Sequence, residues 1–131
     1  MGLILGAHHM SFPVRDLARS RAFYEGILGL VPKPRPDMGV DGIWYQAGAC
    51  EVHLIVTPAG VDVGAAPPSL NPVARHAAFA VASYEDALAQ LKRHGLEALE
   101  TSPGRGQLWV RDPDGHILEL IVPRDEVGSG R

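Results

Sequence analysis

An internal repeat of about half the chain constrains the fold more than any other feature of the sequence. A shift of about 66 positions brings residues of the same type together in the two halves. The corresponding pairs are His9 and His76, Phe12 and Phe79, Val14 and Val81, Gly29 and Gly95, and Trp44 and Trp109. A copy of this size cannot bury both faces of its own sheet. The 131 residues are therefore predicted to form a single domain, 1–131, from two incomplete copies.

The order of secondary-structure elements repeats as well, and each copy is predicted to read β-α-β-β-β. In module one, about 4–57, the helix is Leu17–Leu28 and the strands are Ile4–Val14, Leu30–Pro36, Gly42–Ala47 and Glu51–Thr57. In module two, about 75–123, the helix is Tyr84–His94 and the strands are Arg75–Ala82, Leu96–Thr101, Gln107–Arg111 and His116–Val122. Asp16 and Ser83 are the predicted N-caps, and Gly29 and Gly95 end the helices. The proline-rich segment 58–74 is the predicted linker.

The fold class that follows is α+β, with two tandem βαβββ modules forming a cupped, open mixed β-sheet. Alternation along each strand assigns side chains to one face or the other. In the first strand Phe12 and Val14 belong to the helix side, and His9 belongs to the open side. The same rule places His53 and Glu119 on the open faces of the closing strands. The open faces are therefore predicted to enclose a cleft with polar groups in it.

Three imidazoles and one carboxylate on these open faces form a ligand set for a divalent transition metal. The four predicted ligands are His9, His53, His76 and Glu119. Imidazole nitrogen favours Fe, Ni, Zn, Mn or Co over Ca or Mg, which prefer oxygen ligands. Glu119 lies between Leu118 and Leu120, where an unpaired buried carboxylate would be costly. The sequence predicts a metal cleft and leaves the identity of the metal open.

Two segments of the sequence, from His9 to Leu30 and from Asp112 to Leu120, carry a resemblance to a known family. They resemble the vicinal oxygen chelate superfamily, which includes glyoxalase I, bleomycin and fosfomycin resistance proteins, methylmalonyl-CoA epimerase and extradiol dioxygenases. The segment from His9 to Leu30, HMSFPVRDLARSRAFYEGILGL, looks like the opening of that superfamily. The segment from Asp112 to Leu120, DPDGHILEL, is similar to its turn into the last strand, where the glutamate is a metal ligand. The resemblance extends from His8 to Val122 and is specific for the superfamily, not for one activity.

The resemblance implies roles for individual residues. His9, His76 and Glu119 match the shared set of two histidines and one carboxylate, and His53 stands where glyoxalase I commonly has a fourth ligand, a glutamate. It also implies that vicinal oxygens of a small organic substrate chelate the metal, which acts as a Lewis acid. The predicted catalytic residues are Glu119, as a group that moves protons, and His53, as a fourth ligand or as an acid–base partner.

Two departures separate the chain from glutathione-dependent glyoxalase I. Bacterial glyoxalase I has an arginine and an asparagine that hold glutathione, and the corresponding positions here are Pro13 and Thr57. A glutathione hemithioacetal is therefore disfavoured as the substrate. With His53 neutral, one carboxylate and a divalent metal leave the site near +1, which favours an anionic chelate such as an enolate, catecholate or phosphonate.

Several functions are compatible with this site. The first is a metal-dependent lyase or isomerase of glyoxalase-like type. The alternatives are a non-haem Fe(II) extradiol-type dioxygenase that uses His9, His76 and Glu119, and an antibiotic-resistance protein. A fosfomycin-modifying enzyme would need cations for the phosphonate, and Arg105 and Arg124 are candidates. A drug-sequestering protein of the bleomycin-resistance kind would typically lack the metal ligands.

Composition excludes other classes of partner. The net charge is −3 and no long basic run occurs, so nucleic acid is not an expected partner. Apolar runs are no longer than a strand, and Met1–Gly6 lacks the features of a signal peptide. The single cysteine, Cys50, fits a reducing cytoplasm. A homodimer is expected, because small members of the superfamily often complete each cleft between two chains; whether the cleft lies within one chain is left open.

Overall fold

The two halves of the chain form two compact units that share one topology. The structure is a computed structural model that describes residues 2–124, apart from the side chains of Ser102 and Pro103. The chain divides between Ala65 and Ala66, inside the segment 58–74. The predicted domain 1–131 also includes residues 1 and 125–131, which lie outside the described residues.

Unit 1 is a four-stranded mixed sheet with one helical segment. Its strands are β1 (His9–Val14), β2 (Val31–Lys33), β3 (Gly42–Ala47) and β4 (Cys50–Val56), in the spatial order β1-β4-β3-β2. The helix α1 (Leu17–Arg21) continues directly into a π-helical turn (Ala22–Ile27). Strand β1 runs parallel to β4, and the other neighbours are antiparallel.

Unit 2 repeats this arrangement. Its strands are β5 (Ala77–Ala80), β6 (Leu99–Ser102), β7 (Gln107–Arg111) and β8 (Ile117–Ile121), in the order β5-β8-β7-β6. Helix α2 (Tyr84–Arg93) joins β5 to β6, and a 3-10 turn (Pro103–Arg105) precedes β7. Strand β5 is parallel to β8 and the rest are antiparallel. The predicted α+β class with two β-α-β-β-β copies is confirmed.

Several strands are shorter than predicted. Strands β3 and β7 have the predicted bounds, whereas the first strand begins at His9 and not at Ile4. The reason is its parallel partner, because β4 begins at Cys50 and His9 already pairs with Glu51. His8 O still accepts from Glu51 N at 3.0 Å, but residues before His8 have no strand to pair with. Residues Leu3, Ile4 and Leu5 are accordingly exposed.

The predicted helix boundaries are mostly confirmed. The Asp16 carboxylate accepts a hydrogen bond from Arg19 N at 3.2 Å, and Ser83 Oγ accepts one from Asp86 N at 3.1 Å. Gly95 ends α2 with φ +69°, a conformation that suits glycine. The predicted helix Leu17–Leu28 was wrong in type over its second half, which is π-helical: Leu28 N bonds Phe23 O at 3.0 Å.

In unit 1 the helical segment packs on one face of the sheet through aromatic side chains. The rings of Phe12 and Tyr24 lie 6.0 Å apart, and those of Tyr24 and Tyr45 lie 6.3 Å apart. Tyr45 is fully buried, and its hydroxyl donates to Glu25 at 2.7 Å. Because side chains alternate along β3, Trp44 lies on the opposite face from Tyr45. That opposite face carries the candidate site residues.

Over residues 2–124, no helix has both the length and the apolar character needed to cross a membrane.

Candidate metal centre

In unit 2 the structure brings together two of the predicted ligands, His76 and Glu119. His76 Nε2 lies 3.2 Å from Glu119 Oε1. Only 8% of the Glu119 side chain is exposed, against 24% for His76. Strand pairing explains the placement, because Glu119 of β8 is in register with Ala78 of β5, and His76 lies two residues earlier.

The other polar side-chain atoms of His76 and Glu119 form hydrogen bonds elsewhere. His76 Nδ1 is 2.7 Å from Ala74 O, and a carbonyl only accepts, so Nδ1 carries the proton. In the neutral ring Nε2 therefore presents its lone pair. Gln107 Nε2 donates to Glu119 Oε2 at 2.9 Å, which leaves Oε1 as the oxygen directed toward His76. One nitrogen and one oxygen with available lone pairs thus converge.

A tryptophan and a tight turn support this pair. The ring of Trp109 meets that of His76 edge to face, with 4.7 Å between centroids, and Trp109 Nε1 donates to Thr101 Oγ1 at 3.0 Å. The turn before β8 is organised by the buried carboxylate of Asp112, which accepts from Asp114 N and His116 N, both at 2.9 Å. His116, predicted as the first residue of the last strand, instead has its backbone in this turn, and β8 begins at Ile117.

In unit 1 the other two predicted ligands, His9 and His53, stack on each other. Their ring centroids are 4.0 Å apart with 16° between planes. Trp44 stacks on the same His53 ring, with centroids 4.3 Å apart and 9° between planes. His53 is 7% exposed, and its neighbour across the antiparallel pair is Trp44. The face assignment of His9 and His53 is therefore confirmed.

His9 is held mainly as a neutral ring. Its pKa is lowered first by desolvation and then by the neighbouring rings of His53 and His8. His9 Nδ1 lies 2.8 Å from His8 Nδ1, so one of the two nitrogens donates to the other. A neutral imidazole is the form that binds a metal.

Sequence reasoning missed Glu51 and Lys33. Glu51 Oε1 lies 2.9 Å from His53 Nε2, and Lys33 Nζ donates to Glu51 Oε2 at 2.7 Å. The hydrogen bond from His53 and then the one from Lys33 lower the pKa of Glu51 to about 2, so the carboxylate is ionised. The available signal was spacing, because residues 51 and 53 share a face of the same strand. The part played by Lys33 depends on the pairing of β2 with β3.

The donor chemistry of both pairs fits a divalent transition metal, although each pair alone is an incomplete set. Imidazole nitrogen and carboxylate oxygen are ligands that Zn, Ni, Fe, Mn or Co accept. The protonated Nδ1 of His76 on a backbone carbonyl is the arrangement that orients a metal-binding histidine. Across residues 2–124, no group of three or more His, Cys, Asp and Glu side chains is placed to hold a metal ion.

Other residues noted in the sequence lie at a helix cap, at the start of a strand and in a cleft. His94 is the C-cap residue of α2, and its backbone N–H bonds Gln90 O and Leu91 O. Cys50, the first residue of β4, is half-buried with a free thiol. Arg105 and Arg124 line a cleft of about 390 Å³ in unit 2, together with Ser83 and Tyr84 at the start of α2.

Known proteins resemble this chain in sequence over most of its length. The chain is 26% identical over 119 residues to glyoxylase I 4 of Arabidopsis thaliana, covering 86% of this chain and 68% of that protein. It is 27% identical over 127 residues to the glutathione transferase FosA of Serratia marcescens, covering 92% of this chain and 82% of that protein.

Solved structures show the same fold. A glyoxalase family protein from Bacillus anthracis matches with a TM-score of 0.76 at 23% identity, covering 95% of this chain and 99% of that one. The family model of the glyoxalase/bleomycin resistance protein/dioxygenase superfamily matches residues 6–120, which is most of the chain. The protein described here therefore belongs to the glyoxalase/bleomycin resistance protein/dioxygenase superfamily.

Proposed function

We propose that this chain is a metal-dependent enzyme in which His9, His53, His76 and Glu119 hold one divalent transition metal. The reaction we propose is a glyoxalase-like lyase or isomerase conversion of a small organic substrate with vicinal oxygens. The observation that carries the proposal is the convergence of His76 Nε2 and Glu119 Oε1 at 3.2 Å. A buried carboxylate is costly unless it is paired, and a metal ion bound between Glu119 and His76 would provide a cationic partner.

The proposal joins one donor pair from each unit, either of one chain or of two chains in a homodimer. Size exclusion with static light scattering separates a monomer from a dimer. Mixing a His9→Ala chain with a Glu119→Gln chain tests sharing: recovered metal binding in the mixture supports a site made by two chains. No recovery in a dimer that exchanges subunits supports a site within one chain.

Each residue of the site has a separate task in this proposal. When bound, the metal supplies Lewis-acid polarisation of the substrate oxygens. Glu119 balances the charge and provides a basic oxygen for proton movement, while Gln107 holds its other oxygen. Trp44 and Trp109, which contact His53 and His76, form apolar walls that exclude water from the substrate.

Metal analysis of the purified protein is the deciding experiment. We expect about one equivalent of a transition metal per chain by plasma mass spectrometry, and restored binding of Zn²⁺ or Ni²⁺ to the stripped protein by calorimetry. Protein that neither contains nor binds a transition metal would refute the proposal. It would favour a metal-free drug-binding protein instead.

An extradiol-type dioxygenase is the second candidate, favoured by one observation. His53 Nε2 is engaged by Glu51, so His9, His76 and Glu119 can act as a three-ligand set with His53 as the acid–base partner. This candidate requires Fe(II) and consumes dioxygen with a catechol. An oxygen electrode with the Fe(II)-loaded protein and simple catechols separates it from the first proposal, which consumes no oxygen.

The similarity to FosA supports fosfomycin modification as a third candidate. This activity would need cations for the phosphonate, and Arg105 and Arg124, which line the cleft at the start of α2, are the candidates. Lys33, one of the two lysines of the chain, already forms an ion pair with Glu51. The test is disappearance of fosfomycin in the presence of Mn²⁺ with either glutathione or water as the attacking group. Loss of drug with one of them identifies this activity.

A further inference from the structure

His53 differs from His76 in which ring nitrogen is available. His76 bonds a backbone carbonyl through Nδ1 and presents Nε2. His53 instead lies with Nε2 at 2.9 Å from Glu51 Oε1. An ionised carboxylate only accepts hydrogen bonds, so Nε2 of His53 carries the proton. In the neutral ring the lone pair is then on Nδ1, which has no hydrogen-bond partner among residues 2–124.

The surroundings of His53 hold this orientation. The ring is sandwiched between Trp44 at 4.3 Å and His9 at 4.0 Å, and only 7% of the residue is exposed. A 180° flip of the ring would exchange Nε2 with Cε1 and would therefore give up the hydrogen bond to Glu51. Stacking on both faces leaves little room for any other tilt.

Glu51 is itself held in place. Its second oxygen, Oε2, accepts a hydrogen bond from Lys33 Nζ at 2.7 Å. About four-fifths of the Glu51 side chain is buried, and 29% of Lys33 is exposed. Lys33 Nζ also donates a hydrogen bond to Gln46 Oε1 at 2.8 Å, which helps to hold the lysine in place. Lysine, glutamate and histidine thus form a chain of charge-assisted hydrogen bonds that ends on the ring.

We propose that Glu51, braced by Lys33, is a positioning residue that makes Nδ1 of His53 the nitrogen presented to the metal. The inference rests on the proposed function, which supplies the metal. The choice of nitrogen rests on the hydrogen-bond geometry alone. A carboxylate that accepts the other ring N–H of a metal-binding histidine fixes its tautomer and strengthens it as a ligand. His53 and His76 would then bind through different nitrogens.

The first test needs no metal. Nitrogen-15-labelled histidine in the full chain, observed by long-range proton–nitrogen correlation at a pH where the ring is neutral, reports which nitrogen is protonated. We expect a proton on Nε2 of His53 that exchanges slowly with water. The slow exchange is retained in Glu51→Gln, whose amide oxygen still accepts, and lost in Glu51→Leu.

A proton on Nδ1 of His53 in the wild-type chain would overturn the inference, as would slow exchange that survives in Glu51→Leu. Should Glu51→Leu fail to fold, the wild-type spectrum and Glu51→Gln still decide, because both must show the proton on Nε2. Glu100→Leu is the matched control. It removes another strand glutamate, whose partner is the Tyr84 hydroxyl at 2.6 Å, and it must leave the His53 signals unchanged.

The second test adds Zn²⁺, which is diamagnetic. We expect the Nδ1 signal of His53 to shift on binding, and the Kd for Zn²⁺ in Glu51→Leu to rise about 10- to 100-fold. Coordination through Nε2, or an unchanged Kd, would overturn the inference. Failure of the wild-type chain to bind Zn²⁺ would instead refute the proposed function, while the metal-free spectra would still decide the role of Glu51.

Discussion

His53 and Glu119 occupy equivalent positions in the two sheets, each directly across from a tryptophan on the neighbouring antiparallel strand. His53 of β4 pairs with Trp44 of β3, and Glu119 of β8 pairs with Trp109 of β7. The parallel side corresponds as well, since His53 is in register with Ser11 and Glu119 with Ala78. The repeat thus places one polar donor and one aromatic wall on the same face of each unit, and the two copies differ in the donor.

Replacing Glu119 with glutamine should abolish stoichiometric metal binding and leave the fold intact. The amide keeps the size of the side chain and can still pair with Gln107, but it removes the negative charge. Because the carboxylate is buried at 8% exposure, the metal-free variant should be at least as stable as the wild type. Calorimetric titration with Zn²⁺ and urea unfolding measure the two effects.

Glu100→Gln provides the control for this substitution, because it makes the same chemical change at an exposed glutamate of unit 2. Its metal binding should equal that of the wild-type chain. Unchanged metal content in Glu119→Gln would refute Glu119 as a ligand. A large loss of stability in the metal-free variant would show that the carboxylate has a structural partner instead.

Much of this site follows from the sequence by simple periodicity. The repeat assigned equivalent positions, alternation placed His9 and His53 on one face, and Ser83 and Gly95 marked the ends of α2. These predictions succeed because each depends on residues close together in the chain or on one strand. Strand ends were less accurate, since the start of β1 depends on where its partner β4 begins.

The contacts around Glu51 could not be predicted in the same way. They need the lateral register of three strands, in which Lys33 pairs with Trp44 and Trp44 pairs with His53. Strand β2 has three residues and contains Pro32, so its register has little local signal. The π-helical turn was missed for a related reason, because an i to i−5 bond leaves the apolar spacing close to helical.

Substitution of Gln107 tests whether Glu119 binds through a single oxygen. Gln107→Leu frees Oε2 and leaves the carboxylate able to rotate, so the Kd for Zn²⁺ should rise about tenfold or more. Calorimetry gives the Kd, and the visible spectrum of the Co²⁺-loaded protein reports a change in coordination number. Gln90→Leu is the control, because Gln90 bonds Arg93 on α2. Equal Kd values for both variants would show that Gln107 does not position Glu119.

Glu25 of the helical segment in unit 1 bonds Arg21 and also Tyr45 of β3. These bonds should make the free energy of unfolding depend on pH in the acid range. The hydrogen bond from Arg21 is the main cause that lowers the pKa of Glu25 below its ordinary value of 4.5, and Tyr45 adds a second bond. The ionised form is therefore favoured in the folded state, so this stabilisation is present above pH 4.5 and is lost as pH falls through the lower folded-state pKa.

Urea unfolding as a function of pH, in Glu25→Gln and in the wild-type chain, measures this contribution. The difference in the free energy of unfolding should be largest above pH 4.5 and should shrink toward lower pH. Added salt should reduce it, because the Arg21 side chain is 46% exposed. A difference that is constant across the acid range would contradict an ionic origin.

Asp112 should stabilise the turn that delivers Glu119 to the site. Its carboxylate accepts from Asp114 N and His116 N, and the residue is 5% exposed. Asp112→Ala leaves two backbone donors without their partner, so the free energy of unfolding should fall by about 1–3 kcal/mol. Asp112→Asn retains an acceptor oxygen and should lose less. Strand β8 begins at Ile117, directly after this turn, and carries Glu119. The alanine variant should therefore also weaken Zn²⁺ binding, measured by calorimetry. Zn²⁺ binding equal to that of the wild type would show that the turn and the site are independent.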